Sequence, residues 1–442
     1  MTSAESPELE PVAVFGLGGS VGLVELIEAA EDCCRLLIVN AEDAPWSAAD
    51  RSGLEGLVDY VDLAGLPMDR LSERLADLGV AGMVTFSDEL IPTVAAAAGR
   101  LGLPFHTVAA AEAVTRKDVQ RRLLADAGVQ VMRHTAFDTA AELEAAAQTV
   151  GFPAVLKPTA GNGSFNVFPA ADLEELRTAL QRAEVGESDQ PVRFHGRLGF
   201  DGAPAWQLEE RLPDGAHPAG PWLGDYVSVE TLNLGADERW HFWIADRLPL
   251  LPPFREHGTL GPTLLPNEAQ AEVCALASAA LRALGVTSGI THTEIKLTPD
   301  GPRIIEVNGR VGGMIPALLR QVTDLDVVRL ALHAALGAAV RLPVRTTGHS
   351  LSLFVQAPCD AVEITRIADP ELLKKAPAVW RVDVRASVGA RVDYRSGLLG
   401  RIQNIWLTAA SAAELRSGLA TVEELLAEGN GFRYASAPEG DF

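Results

Sequence analysis

The chain has 442 residues, room for two to four domains, and its 48% hydrophobic and 22% charged content is that of an ordinary soluble globular protein. A formal net charge of −22 argues against a nucleic-acid or anionic-membrane partner, while a locally basic pocket could still hold a small anion. Four cysteines, with Cys33 and Cys34 adjacent, show no metal-ligand spacing and fit a reduced, cytoplasmic setting. Met1 to Glu10 is acidic and polar and does not read as a signal peptide, and the apolar run from Val12 to Val24 is too short to span a bilayer.

Taken in order, Val12 to Phe15 reads as a buried strand, Gly16-Leu-Gly-Gly-Ser-Val-Gly22 as a glycine turn, the stretch to about Ala30 as a helix, and Leu36 to Val39 as a second strand. That is the opening of a parallel α/β domain. The turn is either a dinucleotide site or a plain tight turn. Its G-x-G-G-x-x-G spacing and the Asn40 at the end of strand two favour the plain turn. Gly82 to Phe86 is a later strand with Ser87-Asp88-Glu89 at its C-terminal end, where such sheets bind ligands, and the helix Ile91 to Leu101 follows.

Arg116 to Ala127 reads as a helix with Lys117 in its first turn. Phe152 to Lys157 is a strand ending in a lysine, Pro158 to Ser164 a small-residue loop, and Asn166 to Phe168 the resumed strand. A lysine beside a flexible glycine loop is one way to cover a polyphosphate, because backbone N–H groups point inward and the ammonium offsets charge. Leu208 to Leu212 is a strand, Pro213-Asp-Gly215 a reversal, and Gly215 to Gly224 an exposed loop. Tyr226 to Leu232 and Arg239 to Ile244 are antiparallel strands. Leu250 to Pro266 is proline-rich and irregular; its Arg255, Glu256, His257 and Gly258 either line a substrate cleft or form an ordinary surface loop. Glu268 to Leu284 is a helix.

The most informative stretch is Thr291 to Arg310, which reads as a β-hairpin around Thr298-Pro-Asp-Gly-Pro302. Pairing symmetric about Asp300 sets Glu294 opposite Glu306 and His292 opposite Asn308, with all four side chains on one face. Facing carboxylates repel unless one is protonated or a cation sits between them. Two carboxylates and an amide oxygen suit Mg²⁺ or Mn²⁺, and Arg310 adds a fixed positive fork. A solvent-exposed polar face is the plainer alternative; Gly312-Gly313 just beyond favours the site, and a one-residue slip of register would abolish it. Two helices follow, Gly312 to Leu319 and Asp326 to Leu336. After a compositional shift at Pro343 to Gly348 come strands at Ser350 to Val355, Val379 to Val384 and Ile402 to Leu407, a Gly397 to Gly400 turn and a helix Ala412 to Ala427, an α+β module with no obvious chemistry.

Together these pieces resemble the ATP-grasp superfamily, and within it the carboxylate–amine ligase branch of L-amino-acid ligases that form dipeptides. The resemblance implies an α/β and α+β multidomain chain: an N-terminal Rossmann-like domain (1–115), ATP-grasp A (116–205) and B (206–342) subdomains, and a C-terminal α+β domain (343–442). It implies that Glu294, Glu306 and Asn308 hold Mg²⁺ (or Mn²⁺). ATP would be bound by Lys117, Lys157, Gly161, Gly163, Ser164, Glu209, Glu210, Leu212 and Glu230, with Asp225 at the ribose. Arg310 would stabilise the acyl phosphate and tetrahedral intermediate, with Lys157 as its catalytic companion. Gly312, Gly313, Glu256 and Asp88 would line the substrate pocket beside Arg310. Asn166 stands where the family loop has another glycine and, as an asparagine, tolerates left-handed backbone; the Pro213 to Leu223 segment is an insertion.

The implied reaction joins an amino acid or similar carboxylate to an amine through an acyl phosphate, with ADP and phosphate released, in peptide or natural-product biosynthesis. Small-molecule substrates and a homodimer are the implied partners. The alternatives are an ATP-grasp carboxylase or nucleotide-biosynthesis ligase, a Rossmann oxidoreductase reading Gly16 to Gly22, and a catalytically silent ATP-binding regulator.

Overall fold

The computed structural model describes residues 9–436 apart from 17, 43, 190–203 and 428–430. The first eight residues of the acidic N-terminal stretch therefore lie outside the described residues. Pro11–Phe15 carries apolar residues without alternation, as a parallel strand covered on both faces requires, and Val12 to Phe15 are all buried. It pairs in parallel with Arg35–Asn40 on one side and Gly82–Thr85 on the other, and Asp59–Asp62 completes a four-stranded sheet. The strand order reverses between Pro11–Phe15 and Gly82–Thr85, so the Gly16 to Gly22 turn and Ser87-Asp88-Glu89 meet at the switch point.

A second, antiparallel sheet joins His134–Phe137, Trp206–Glu210, Ala154–Pro158 and Phe168–Ala170. Its return strand starts two residues later than the sequence suggests. Ser164 and Asn166 take left-handed φ values of 59° and 51°, and no strand can pass through them. The sheet packs on the helix Leu173–Asp189, to which the sequence reading assigned nothing.

The third sheet has eight strands, in the order Gly301–Asn308, Gly289–Thr298, Tyr226–Asn233, Arg239–Arg247, Gly258–Gly261, His349–Val355, Gln403–Ala409 and Val379–Val384. Gly258–Gly261 lies inside the stretch expected to be irregular. It pairs with Arg239–Arg247 and His349–Val355 and so ties the strands after residue 342 into the same ladder as those before it. The Gly215 to Gly224 loop is exposed only in part: Ala216, Pro218 and Pro221 are exposed, His217 and Leu223 are buried, and the Gly215 N–H donates to Asp225 Oδ2.

The hairpin is the edge of this sheet, and an unpaired edge must find hydrogen-bond partners. Two glutamines supply them. Gln120 Nε2 donates to the Val307 carbonyl (3.0 Å) and its Oε1 accepts from the Val307 N–H (2.8 Å). Gln130 makes the same pair of bonds with Ile304, at 2.9 and 2.7 Å. The helix Lys117–Asp126 is thereby fixed against the hairpin, which sets Lys117 beside it. Among the described residues no helix is long and apolar enough to cross a membrane.

Candidate active site

The pairing expected of the hairpin is present where it matters: Glu294 lies opposite Glu306 and His292 opposite Asn308. It is not symmetric about Asp300, however. The turn is tighter, with Thr298 paired to Gly301, and that register alone would set Glu294 opposite Ile305. A bulge at Ile305 shifts the ladder by one residue and restores the carboxylate pair. It also lets Ile305 and Glu306, neighbours in sequence, both line the cleft. The Ile305 carbonyl, released from the ladder, accepts from Arg121 Nη2 at 2.5 Å.

Glu230, on the strand beside the hairpin and directly opposite His292, is fully buried. It accepts from His292 Nδ1 and from the Gly312 N–H (3.0 Å), while His292 Nε2 is 3.3 Å from Glu294 Oε1. Burial alone would depress His292, but the Glu230 and Glu294 carboxylates outweigh it and hold the imidazole at about 9. Burial likewise works against the Glu294 charge, and His292, Arg247 and Arg310 overcome it, leaving Glu294 at about 2 and therefore ionised. Lys117 reaches in from its helix, 3.2 Å from Glu306, and donates to the Gly161 carbonyl at 2.6 Å.

Lys157 and Glu209 sit on adjacent antiparallel strands and meet at 2.5 Å. Arg121 and Gln207 also bind Glu209, at 2.9 and 2.7 Å. Burial, reinforced by Arg121 and Lys117 and only partly opposed by Glu209, lowers Lys157 to about 8. Glu209 is held far below the usual carboxylate range because Arg121 and Lys157 outweigh its burial. Glu210 points the other way and pairs with Arg133 at 2.8 Å, yet it and Leu212 line the same cleft.

Gly161, Gly163 and Ser164 form one wall of that cleft and the hairpin face another. Two other parts of the chain hold the loop. Asn162 Nδ2 donates to Asp88 Oδ2 at 2.7 Å, and the same oxygen accepts from Arg310 at 2.9 and 2.5 Å. On the far side the Leu398 N–H donates to the Gly163 carbonyl (2.8 Å) and the Asn166 N–H to the Arg395 carbonyl (3.0 Å). The two backbones approach so closely at Gly397 (φ 55°) that a Cβ there would lie 2.1 Å from the Gly163 oxygen.

The structure therefore gathers Asp88, Lys117, Lys157, Gly161, Gly163, Ser164, Glu209, Glu210, Leu212, Glu256, Glu294, Glu306, Asn308, Arg310 and Gly313 around one cleft. Glu230 and Gly312 stand behind it, bonded to each other. Asp225 does not line the cleft: it faces a neighbouring hollow, where Lys296 pairs with it at 2.7 Å. Of the two readings of the Arg255 to Gly258 stretch, Glu256 lines the cleft, 4.0 Å from Arg247. Sequence reasoning missed Arg247, Tyr226, Lys296 and, from the module read as lacking chemistry, Leu398, Leu399 and Arg401. None stands in a spacing that marks it; only Leu398 and Leu399, inside the Gly397 to Gly400 turn, and Arg401, just past it, had a nearby signal.

Among the described residues no three His, Cys, Asp or Glu side chains converge as a preformed metal cluster. Glu294, Glu306 and Asn308 nevertheless form a hard, all-oxygen set with one carboxylate held ionised, which fits a cation that brings oxygen ligands of its own.

No protein-family model matches the chain. Over 313 residues, 70% of this chain and 57% of the relative, it is 28% identical to an uncharacterised protein of Sinorhizobium fredii. It is 30% identical over 268 residues to the alanine–anticapsin ligase of Bacillus subtilis, covering 59% of this chain and 55% of that one. The chain thus spans a little over half the length of these curated relatives. Among solved structures, the L-amino acid ligase from Bacillus licheniformis superposes with a TM-score of 0.75 at 21% identity, over 98% of this chain and 100% of that one. The likeness shows that the chain shares the multidomain ATP-grasp fold of that structure.

Proposed function

We propose that the chain is an ATP-dependent carboxylate–amine ligase that joins an amino acid, or an amino-acid-like carboxylate, to an amine. The observation that carries this reading is the convergence on one cleft of a paired-carboxylate face, two lysines, a glycine loop and the partly buried Arg310. The names of the curated relative and of the structural neighbour support it.

In this reading the adenine lies along Glu209 to Leu212 and the phosphates under Gly161 to Ser164, between Lys117 and Lys157. Glu294, Glu306 and Asn308 would hold the Mg²⁺ that accompanies ATP, which would offset charge on the transferring phosphate. Glu230 holds His292 and the Gly312 backbone in position from beneath. The substrate carboxylate oxygen attacks the γ-phosphorus and ADP leaves, a transfer that rests on positioning and charge stabilisation. The amine then attacks the acyl carbon, phosphate departs with one former carboxylate oxygen, and the nitrogen loses a proton. Arg310, held by Asp88, faces the oxyanion of that intermediate. Glu256 and Gly313 line the pocket for the acyl substrate. The four segments 1–115, 116–205, 206–342 and 343–442 act as its domains, and a homodimer is its assembly.

Incubation with MgATP, hydroxylamine and a panel of carboxylic acids tests the reading. ADP and a hydroxamate are expected from at least one acid. AMP in place of ADP would refute it.

A further inference from the structure

Seven lysine and arginine side chains line the cleft: Lys117, Lys157, Arg211, Arg247, Lys296, Arg310 and Arg401. Six face a carboxylate. Lys117 pairs with Glu306, Lys157 with Glu209, Arg211 with Asp214, Lys296 with Asp225 and Arg310 with Asp88, at 2.5 to 3.2 Å, and Arg247 stands 4.0 Å from Glu256. Of these seven, Arg401 alone has no ion pair with a described residue. Its Nη1 donates to the Leu398 carbonyl (2.9 Å) and its Nε to Asn404 Oδ1 (3.1 Å). Both acceptors are neutral, so the guanidinium is fixed in place without a counter-charge.

A partly buried guanidinium lacking an anion is costly unless a ligand supplies one. The chain carries 59 Asp and Glu against 37 Lys and Arg, so an acidic partner would have been easy to provide. Burial and the nearby Arg385 depress Arg401 to about 10, with Glu256 and Asp383 acting against them. It lines the same cleft as the glycine loop, and the Leu398 that holds it also donates its N–H to the Gly163 carbonyl. Asn404, its buttress, contacts Met314 Sδ at 3.8 Å, four residues beyond Arg310.

We infer that Arg401, contributed by the C-terminal module, is a specificity-determining residue that binds a substrate carboxylate other than the one being activated. This rests on the ligase reading above. A fixed guanidinium matches a carboxylate in a bidentate fork. Two sources share that chemistry: the α-carboxylate of an amino acid serving as the amine, and a second carboxylate on the acyl substrate.

The test uses the full chain, R401Q and R401K with MgATP. Glycine is compared with glycinamide as the amine, and L-glutamate with L-glutamine as the acid, against panels of partner substrates. R401Q is expected to raise KM for the carboxylate-bearing member of one pair about 10- to 100-fold. KM for its amide counterpart and for ATP should stay within about twofold, and R401K should recover part of the loss. Loss confined to glycine assigns the contact to the amine substrate; loss confined to L-glutamate assigns it to the acyl substrate. Unchanged KM values for all four, or a change confined to ATP, would overturn the inference. Calorimetric titration of the same four compounds into wild type and R401Q keeps the two proposals apart. Wild type that binds one acid but forms no ADP would refute the ligase reading. Acid binding that R401Q leaves intact would refute the role of Arg401.

Discussion

Two glycine-rich stretches of this chain have similar composition and different surroundings. Gly16 to Gly22 follows a buried parallel strand and meets the sheet's switch point, where Ser20 Oγ donates to the Val311 carbonyl at 2.7 Å and a Cβ at Gly19 would lie 2.1 Å from the Phe86 oxygen. Gly161 to Ser164 lies beside Lys117, faces the Glu294–Glu306 pair across the cleft, and is held by Asn162 on one side and Leu398 on the other. The first set of glycines serves backbone packing, with Gly19 and Ser20 reaching the rim of the same cleft. The second leaves backbone facing charge. What separates a phosphate loop from a tight turn is the company of cations and carboxylates, which no count of glycines reports.

Experiments that would break this contrast range from large effects to small. Glu306 sits opposite Glu294 and pairs with Lys117, so E306Q is expected to cut ADP formation by about 10²- to 10³-fold with the fold intact by circular dichroism. Turnover close to wild type would remove the metal assignment. G397A, which drives a methyl into the Gly163 carbonyl, should lower kcat by roughly tenfold and raise phosphate release per amide formed, since the loop no longer shields the acyl phosphate from water. An unchanged ratio would mean that the contact at Gly397 does not govern closure.

A milder effect is expected from pH. Burial lowers Lys157 to about 8, so its ammonium is present below that pH and lost as pH rises through it. The kcat/KM for ATP should therefore fall several-fold between about pH 7 and about pH 9. K157R should flatten that limb, because arginine stays charged; a fall of equal size in K157R would assign the titration elsewhere. G19A should have the smallest catalytic effect. Its strain is expected to cost about 1–3 kcal/mol, seen as a lower Tm, with KM for ATP unchanged. A raised KM would make the N-terminal turn a second nucleotide contact.

Much of the fold was legible because its strands and helices carry strong patterns. Ile91–Leu101 and Val379–Val384 fall where their periodicity puts them, and the hairpin's two carboxylates face each other as alternation requires. The turn register was not legible, since a bulge at Ile305 is a tertiary choice: Arg121, 184 residues away in sequence, takes the freed Ile305 carbonyl. Gly258–Gly261 was hidden because a strand of four small or mixed residues among prolines has no period of its own; it forms because partners wait on both sides. The same reason hid Arg401 and Leu398. Their module has no spacing that speaks of chemistry, and only the continuous eight-stranded sheet brings it to the cleft.

The central claim is that a carboxylate is activated by phosphoryl transfer at the Glu294–Glu306 face. Supplying the acid partner with ¹⁸O in its carboxylate and analysing the released phosphate by mass spectrometry tests it most directly. One ¹⁸O per phosphate, appearing only when the amine is present and absent in E306Q, is the expected result. Phosphate free of label while amide accumulates, or label found in AMP, would contradict an acyl phosphate and with it this account of the cleft.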